Sequence, residues 1–207
     1  MNVRELRGVL DRTLSSMPAH AEELRALDAA IGDGDLGITV SAGSIAAREA
    51  MNALDHTADV RTVLQALAQA FSTANPSTFA ALVGGGLLAA AKTTTGKTSL
   101  YQDDAVVLLD AVATRISERG KSQLGDKTVL DALIPSIQTL RAQQGSATQC
   151  LDAMIDTAGR QVEATAALQS AKGRAAWVQE RSIGQSDPGA TAYLRFLEAL
   201  RADWITP

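Results

Sequence analysis

The chain has 207 residues, 46% hydrophobic and 20% charged, with a formal net charge of −4 and a pI near 5.2. A single domain, residues 1–207, of that size can bury most of the surface its unfolded chain exposes, and the absence of a basic stripe argues against non-specific nucleic-acid binding. The lone cysteine, Cys150, excludes a disulfide framework and a cysteine-based zinc site, and the charged start Met1-Asn-Val-Arg-Glu-Leu-Arg predicts no signal peptide and a cytoplasmic location.

Apolar residues recur at helical spacing almost throughout, first at Val3, Leu6, Leu10 and Leu14, and no segment alternates as a strand would. The pattern predicts eight or nine helices, near 2–16, 18–30, 39–54, 58–73, 76–92, 101–119, 127–143, 147–169 and 188–203. The longest apolar run, Phe79 to Ala91, is interrupted by Gly84, Gly85 and Gly86 and ends at Lys92, short of the roughly 20 residues that span a bilayer, so it reads as a buried helix and not as a membrane segment. Thr93-Thr-Thr-Gly96-Lys97-Thr98 ends like a phosphate-binding P-loop, but the motif's first glycine falls at Ala91 and no strand precedes it, so it reads as a helix exit. Short connections predict an all-α fold, an up-and-down bundle or closed barrel of about eight antiparallel helices. The long connection 169–186 carries Lys172, Arg174 and Arg181 and reads as a lid, against the alternative of a surface excursion with Trp177 packed on the core.

The chemistry is concentrated in Asp28-Ala-Ala-Ile-Gly-Asp33-Gly-Asp35-Leu36-Gly37, which sets three carboxylates within eight residues. Anions that close repel, and oxygen ligands without His or Cys suit a hard cation such as magnesium. An EF-hand loop is excluded, because Gly37 and Ser44 stand where it needs Asp or Asn and then Glu. A solvated acidic turn is the bland alternative, and Asp28, one helical turn earlier, weakens it. Asn75-Pro76-Ser77-Thr78, Gly125-Asp126-Lys127-Thr128 and Ser186-Asp187-Pro188-Gly189 read as capped helix starts, two of them with proline at the first helical position. In an up-and-down arrangement such N-termini meet at one end, where they suit phosphate groups. His20 and His56 lie in no recognisable motif, which leaves phosphohistidine or serine-triad chemistry unsupported.

Three blocks together, Leu27 to Gly37, Arg119-Gly-Lys-Ser-Gln-Leu-Gly-Asp-Lys-Thr128 and Lys172-Gly-Arg174 running to Thr191, resemble the nucleotide-binding L subunit of dihydroxyacetone kinase over nearly the whole chain. The resemblance implies a barrel of antiparallel helices with a nucleotide at its mouth. It implies that Asp28, Asp33 and Asp35 hold two magnesium ions on the phosphates of ADP or ATP, and that Gly37, Gly120, Thr128, Arg174 and Asp187-Pro188-Gly189 contact the nucleotide. The sequence departs from the family at Leu36 and Thr39, where the family has histidine and asparagine, and at Asn75-Pro-Ser77-Thr78-Phe-Ala, where it has a Gly-Gly-x-Ser-Gly-Pro loop. In the family a separate K subunit holds the hydroxyketone covalently through a histidine of its own. The function implied is phosphoryl transfer from bound nucleotide to that partner-held hydroxyketone, with the aspartates and Arg174 as the catalytic groups. Whether the donor is free ATP or a phosphotransferase-system protein that recharges bound ADP stays open, as does a homodimer. The altered positions motivate a second reading, a nucleotide-binding sensor or adaptor without turnover; a purely structural bundle explains neither the aspartates nor the three blocks.

Overall fold

The computed structural model describes residues 1–204, and among them it contains nine α-helices and no strand beyond one isolated bridge between Asn2 and Ser99. Helix α1 (Val3–Ser16) opens with a reciprocal capping box: the Glu5 N–H donates to Asn2 Oδ1 at 3.0 Å and the Asn2 N–H to the Glu5 carboxylate at 2.8 Å. The helix expected over 18–30 is divided, because Pro18 lacks an N–H and sits in a 3₁₀ turn, Met17–His20, before α2 (Ala21–Ile31). Then follow α3 (Leu36–Asn52), α4 (Val60–Ala74), α5 (Thr78–Thr93) and α6 (Gln102–Gly120). The segment Thr93 to Thr98 is a helix exit as expected, with Thr94 closing α5 and Gly96 in the left-handed region.

The last three helices are α7 (Leu130–Ala142), α8 (Ala147–Thr165) and α9 (Pro188–Ala202). Helix α7 begins three residues later than periodicity suggests, since Lys127 has φ of 61°, a left-handed conformation that cannot propagate a right-handed helix. Helix α3 begins three residues earlier, at Leu36, with the Asp35 carbonyl accepting from the Thr39 N–H at 2.9 Å. The α8 helix stops at Thr165, four residues short of the expected end.

The helices pack in a ring. Neighbours run α3, α4, α5, α6, α7 in sequence, α8 packs on α7 and α9, and α9 closes the barrel against α1 and α2. The core is continuous around this ring in three clusters: Leu64, Leu67 and Phe71 of α4 with α1, α3 and α5; Leu133, Met154 and Leu197 with α6 to α9; and Leu24, Leu36 and Val40 with α9. Burying each such side chain contributes about 1.5–3 kcal/mol. Closure between α2 and α9 is also ionic, the Arg195 guanidinium meeting the Glu23 carboxylate at 2.5 and 2.8 Å. Gly43 lets α3 and α4 approach closely, for a methyl there would lie 2.6 Å from the Phe71 ring. Among the described residues no helix is long and apolar enough to cross a membrane.

Candidate functional site

Because alternate helices start at the same end, the N-termini of α3, α5, α7 and α9 converge on one cavity of about 290 Å³. Helix N-termini present unpaired N–H groups and the positive end of the helix dipole, so this mouth favours an anion. Two of the starts are capped by side chains: Ser77 Oγ accepts from the Ala80 N–H at 3.1 Å, and Asp187 Oδ1 from the Ala190 N–H at 2.6 Å. Pro188 occupies the first helical position as expected. Asn75 and Pro76 do not start α5: Asn75 ends α4, and its side-chain amide donates to Thr39 Oγ1 at 2.9 Å. Nor does Asp126 cap α7, since its carboxylate accepts from the Gln123 N–H at 3.0 Å. The group that organises that turn is Asp131, inside the helix, whose two oxygens take the N–H groups of Gly125 (2.6 Å) and Thr128 (2.7 Å).

On one rim of the cavity, ligand oxygens of Asp28, Asp33 and Asp35 all lie within 4.8 Å of one another. The geometry follows from the turn after α2. The Gly32 N–H bonds to the Asp28 carbonyl, Gly34 takes φ of 75°, and the Leu36 N–H at the head of α3 holds Asp28 Oδ2 at 3.2 Å. Burial, and then the charge of Asp28, hold the Asp35 carboxyl above its usual range, as expected of a partly buried carboxylate beside a like charge. The Arg174 guanidinium stands across the cluster, in contact with Asp33 and 3.7 Å from Asp35. Three carboxylates at this spacing, bridged by a cation and free of nitrogen or sulfur ligands, fit a hard divalent ion.

The opposite rim is built from the α6–α7 turn and from the 169–186 segment. The three described non-glycine residues at positive φ, Lys121, Lys127 and Gln179, all fall there. The segment carries 3₁₀ structure over Arg174–Ser182, broken at Gln179. Trp177 is 81% exposed, so packing on the core does not account for it. Lys172 pairs with Asp126 at 3.6 Å and lines the cavity, whereas Arg181 does not. The cavity floor is apolar, formed by Phe79, Leu82, Ile116 and Val129.

Of the residues singled out in the sequence, Asp28, Asp33, Asp35, Leu36, Ser77, Thr78, Gly120, Thr128, Arg174, Asp187, Pro188 and Gly189 line this cavity together. Gly37 and Thr39 lie behind its wall. A methyl on Gly37 would overlap the Ala21 carbonyl oxygen, which places the glycine at the α2–α3 crossing. Thr39 is buried and bonds Asn75 and Ser77, so it holds the start of α5 in place. Leu36 turns its side chain into the core with Met17 and Leu24 and offers the site its N–H. Leu82, Ile116 and Val129 of the cavity are not singled out as site residues in the sequence, and Ser122 and Lys127, though inside the 119–128 block, have no role assigned there; the Lys127 ammonium bonds carbonyls 41 and 55 residues further along the chain.

Residues 30–202 match the DAK2 domain family. The chain belongs to that family. The ADP-binding subunit DhaL of the PEP-dependent dihydroxyacetone kinase of Escherichia coli is 30% identical over 87% of this chain and 87% of its own length. The L-erythrulose 1-kinase of Mycolicibacterium smegmatis is 33% identical over 95% of this chain, and human triokinase/FMN cyclase 32% identical over 93%. This DAK2 chain spans only about a third of those two, 35% and 34%. In three dimensions it resembles the dihydroxyacetone kinase of C. freundii, solved in complex with AMP-PNP and Mg2+, with a TM-score of 0.76 over 96% of this chain and 33% of that one, at 22% identity. That likeness confirms the helical barrel.

Proposed function

We propose that residues 1–207 form one nucleotide-binding unit that holds ADP or ATP with two magnesium ions and transfers the terminal phosphoryl group to a small hydroxyketone bound on a separate K subunit. The observation that carries this reading is the Asp28, Asp33 and Asp35 cluster, with ligand oxygens within 4.8 Å, on a cavity rimmed by four helix N-termini. Membership of the DAK2 family and the kinase names of the relatives support it, and one relative is itself named an ADP-binding subunit. The two relatives about three times as long leave room for an acceptor-binding module that this stretch does not supply.

Phosphoryl transfer asks mainly for positioning and charge neutralisation. The apolar floor of Phe79, Leu82, Ile116 and Val129 takes the base. Main-chain N–H groups at the starts of α5 and α9, with Thr78 and Thr128, orient the phosphates. Asp28, Asp33 and Asp35 would hold magnesium, which would supply positive charge against the phosphate oxygens. Arg174 adds positive charge from the lid side and shields the transfer from water. The donor is ATP or a phosphotransferase-system protein that recharges ADP in place, and no covalent nucleophile on this chain is needed.

Isothermal titration with ADP and ATP, with and without magnesium, tests the reading. Binding should require the metal. Tight ADP that exchanges slowly supports recharging in place, and weak ATP with rapid release supports ordinary ATP use; nucleotide binding indifferent to magnesium refutes the site. With ATP, magnesium and dihydroxyacetone or erythrulose, the chain alone should form no sugar phosphate until a K subunit is added. The same pair of assays separates the sensor reading, motivated by Leu36 and the altered 75–80 segment, which predicts binding without turnover even when the partner is present.

A further inference from the structure

Lys127 heads the largest fully buried side chains, with 2% of its surface exposed. An ammonium taken out of water is destabilising unless its protons find acceptors, and burial does push this one down, opposed by the charge of Asp187. Its Nζ donates to the Leu168 carbonyl at 3.0 Å and to the Ser182 carbonyl at 2.5 Å. Those two carbonyls stand at the two ends of the lid segment. Two more bonds draw the same ends together, the Ser170 N–H to Ser182 Oγ at 2.9 Å and the Gly184 N–H to the Ala166 carbonyl at 2.7 Å, and a third, the Ala171 N–H to the Asp126 carbonyl at 3.1 Å, ties one end to the turn that carries Lys127. On its other side Lys127 is fixed by its turn, since Asp131 holds the N–H groups of Gly125 and Thr128.

We infer that Lys127 is a positioning residue that clamps both ends of the lid to the cavity turn, so that Arg174 meets the Asp33 and Asp35 carboxylates at a fixed reach. With two of its three protons given to carbonyls, the ammonium is held chiefly by the main chain. A clamp of this kind lets the tip, with Trp177, move while the base does not slide. The effect on nucleotide rests on the reading above; the clamp itself does not.

Amide hydrogen exchange without nucleotide separates the two. In the parent protein Ser170, Ala171 and Gly184 should exchange slowly and residues 174–178 quickly. In Lys127→Met, similar in length but uncharged, exchange at those base amides and proteolysis within 170–184 should each rise about tenfold, with α3 to α5 unchanged. Lys127→Arg, which keeps a cation and several donors, should restore most of the protection. Magnesium ADP should dissociate faster from Lys127→Met and be recaptured at the parent rate. Lys127→Met with a parent-like lid but lost ADP binding would make Lys127 a ligand contact and overturn the clamp. Should that variant fail to fold, the parent decides: base amides exchanging as fast as the tip overturn it. A loosened lid in Lys127→Met, with ADP bound by neither protein, upholds the clamp and rejects the nucleotide reading.

Discussion

Along the wall from α3 to α5, neighbouring helices meet through apolar side chains and glycine, with Phe71 lying on Gly43 and Leu64 and Leu67 buried beside it. Around the mouth the chain is held by other means. Asp131 fixes one turn, a buried lysine fixes the lid, Asp187 caps α9, and the aspartates face Arg174. The wall gains stability from contacts that any well-packed apolar set would make, whereas each mouth contact depends on one named polar atom. Substitutions in the two regions should therefore fail differently: in the wall by lost stability, in the mouth by lost ligand or altered pH dependence.

The largest effect is expected from Asp33→Ala. Removing one of three carboxylates on a shared cation should weaken magnesium-dependent ADP binding by more than roughly 100-fold, the upper end found for outer-shell partners. Asp33 is partly exposed and paired with Arg174, so the ion-free stability should change by less than about 0.5 kcal/mol. Titration calorimetry and a thermal melt read the two quantities. ADP that protects the variant from heat as well as it protects the parent would remove magnesium from the aspartates.

Gly37→Ala comes next and tests where the boundary between wall and mouth lies. Alanine gains about 1 kcal/mol of helix propensity, but its methyl meets a main-chain carbonyl, that of Ala21, which cannot rotate away. A net loss of about 2–3 kcal/mol should appear in urea unfolding, with ADP affinity of the folded fraction nearly unchanged. Unchanged stability with lost affinity would instead return Gly37 to the nucleotide site.

These cases show why sequence reading succeeds unevenly. The helices of the wall announce themselves through Val60, Val63, Leu64, Leu67 and Phe71, because a buried helical face needs apolar residues at one period. The aspartate loop is equally legible, since three like charges in a glycine-rich turn ask for a cation. Asp126 looked like a cap while Asp131 performs the work, because both are acidic and only the fold decides which one the Gly125 and Thr128 N–H groups reach. Lys127 stands in a recognisable block, but nothing local marks its role. Its acceptors are main-chain carbonyls, which every residue possesses, brought near by the lid's return.

Asp187 offers a test within the mouth. Burial is the main cause that pushes its carboxyl up to about 7, helped by Asp131 and opposed by the Ala190 N–H and by Lys127. The folded state therefore holds a proton between pH 4 and 7 that the unfolded state has released. In that window the folded state is favoured at the acid end, and the advantage is lost as pH rises toward 7, with a slope of about 1.4 kcal/mol per pH unit for one proton. Asp187→Asn keeps a capping oxygen and does not titrate. The stability difference between parent and variant, followed by urea unfolding from pH 4 to 8, should move in the variant's favour up to pH 7 and then level off. A difference independent of pH would mean that the cap is ionised throughout.

The smallest effect on stability belongs to Trp177, whose exposed ring makes Trp177→Ala worth less than about 0.5 kcal/mol. Its value is as a reporter of the lid. Trp204 packs against the α6 to α9 cluster and can be replaced by Phe so that one indole signals alone. With Arg174 already against Asp33 and Asp35, Trp177 is still 81% exposed, so a lid that closes on magnesium ADP does not bury this ring. The expected response is a rise in fluorescence anisotropy as the segment loses freedom on the nanosecond scale, with the emission maximum remaining that of a solvated indole. A blue shift on nucleotide alone would mean that the closed lid folds Trp177 inward, an arrangement unlike the one seen here. No change in either quantity, with undiminished proteolysis between 170 and 184, would mean that nucleotide does not order the segment and that it is no lid.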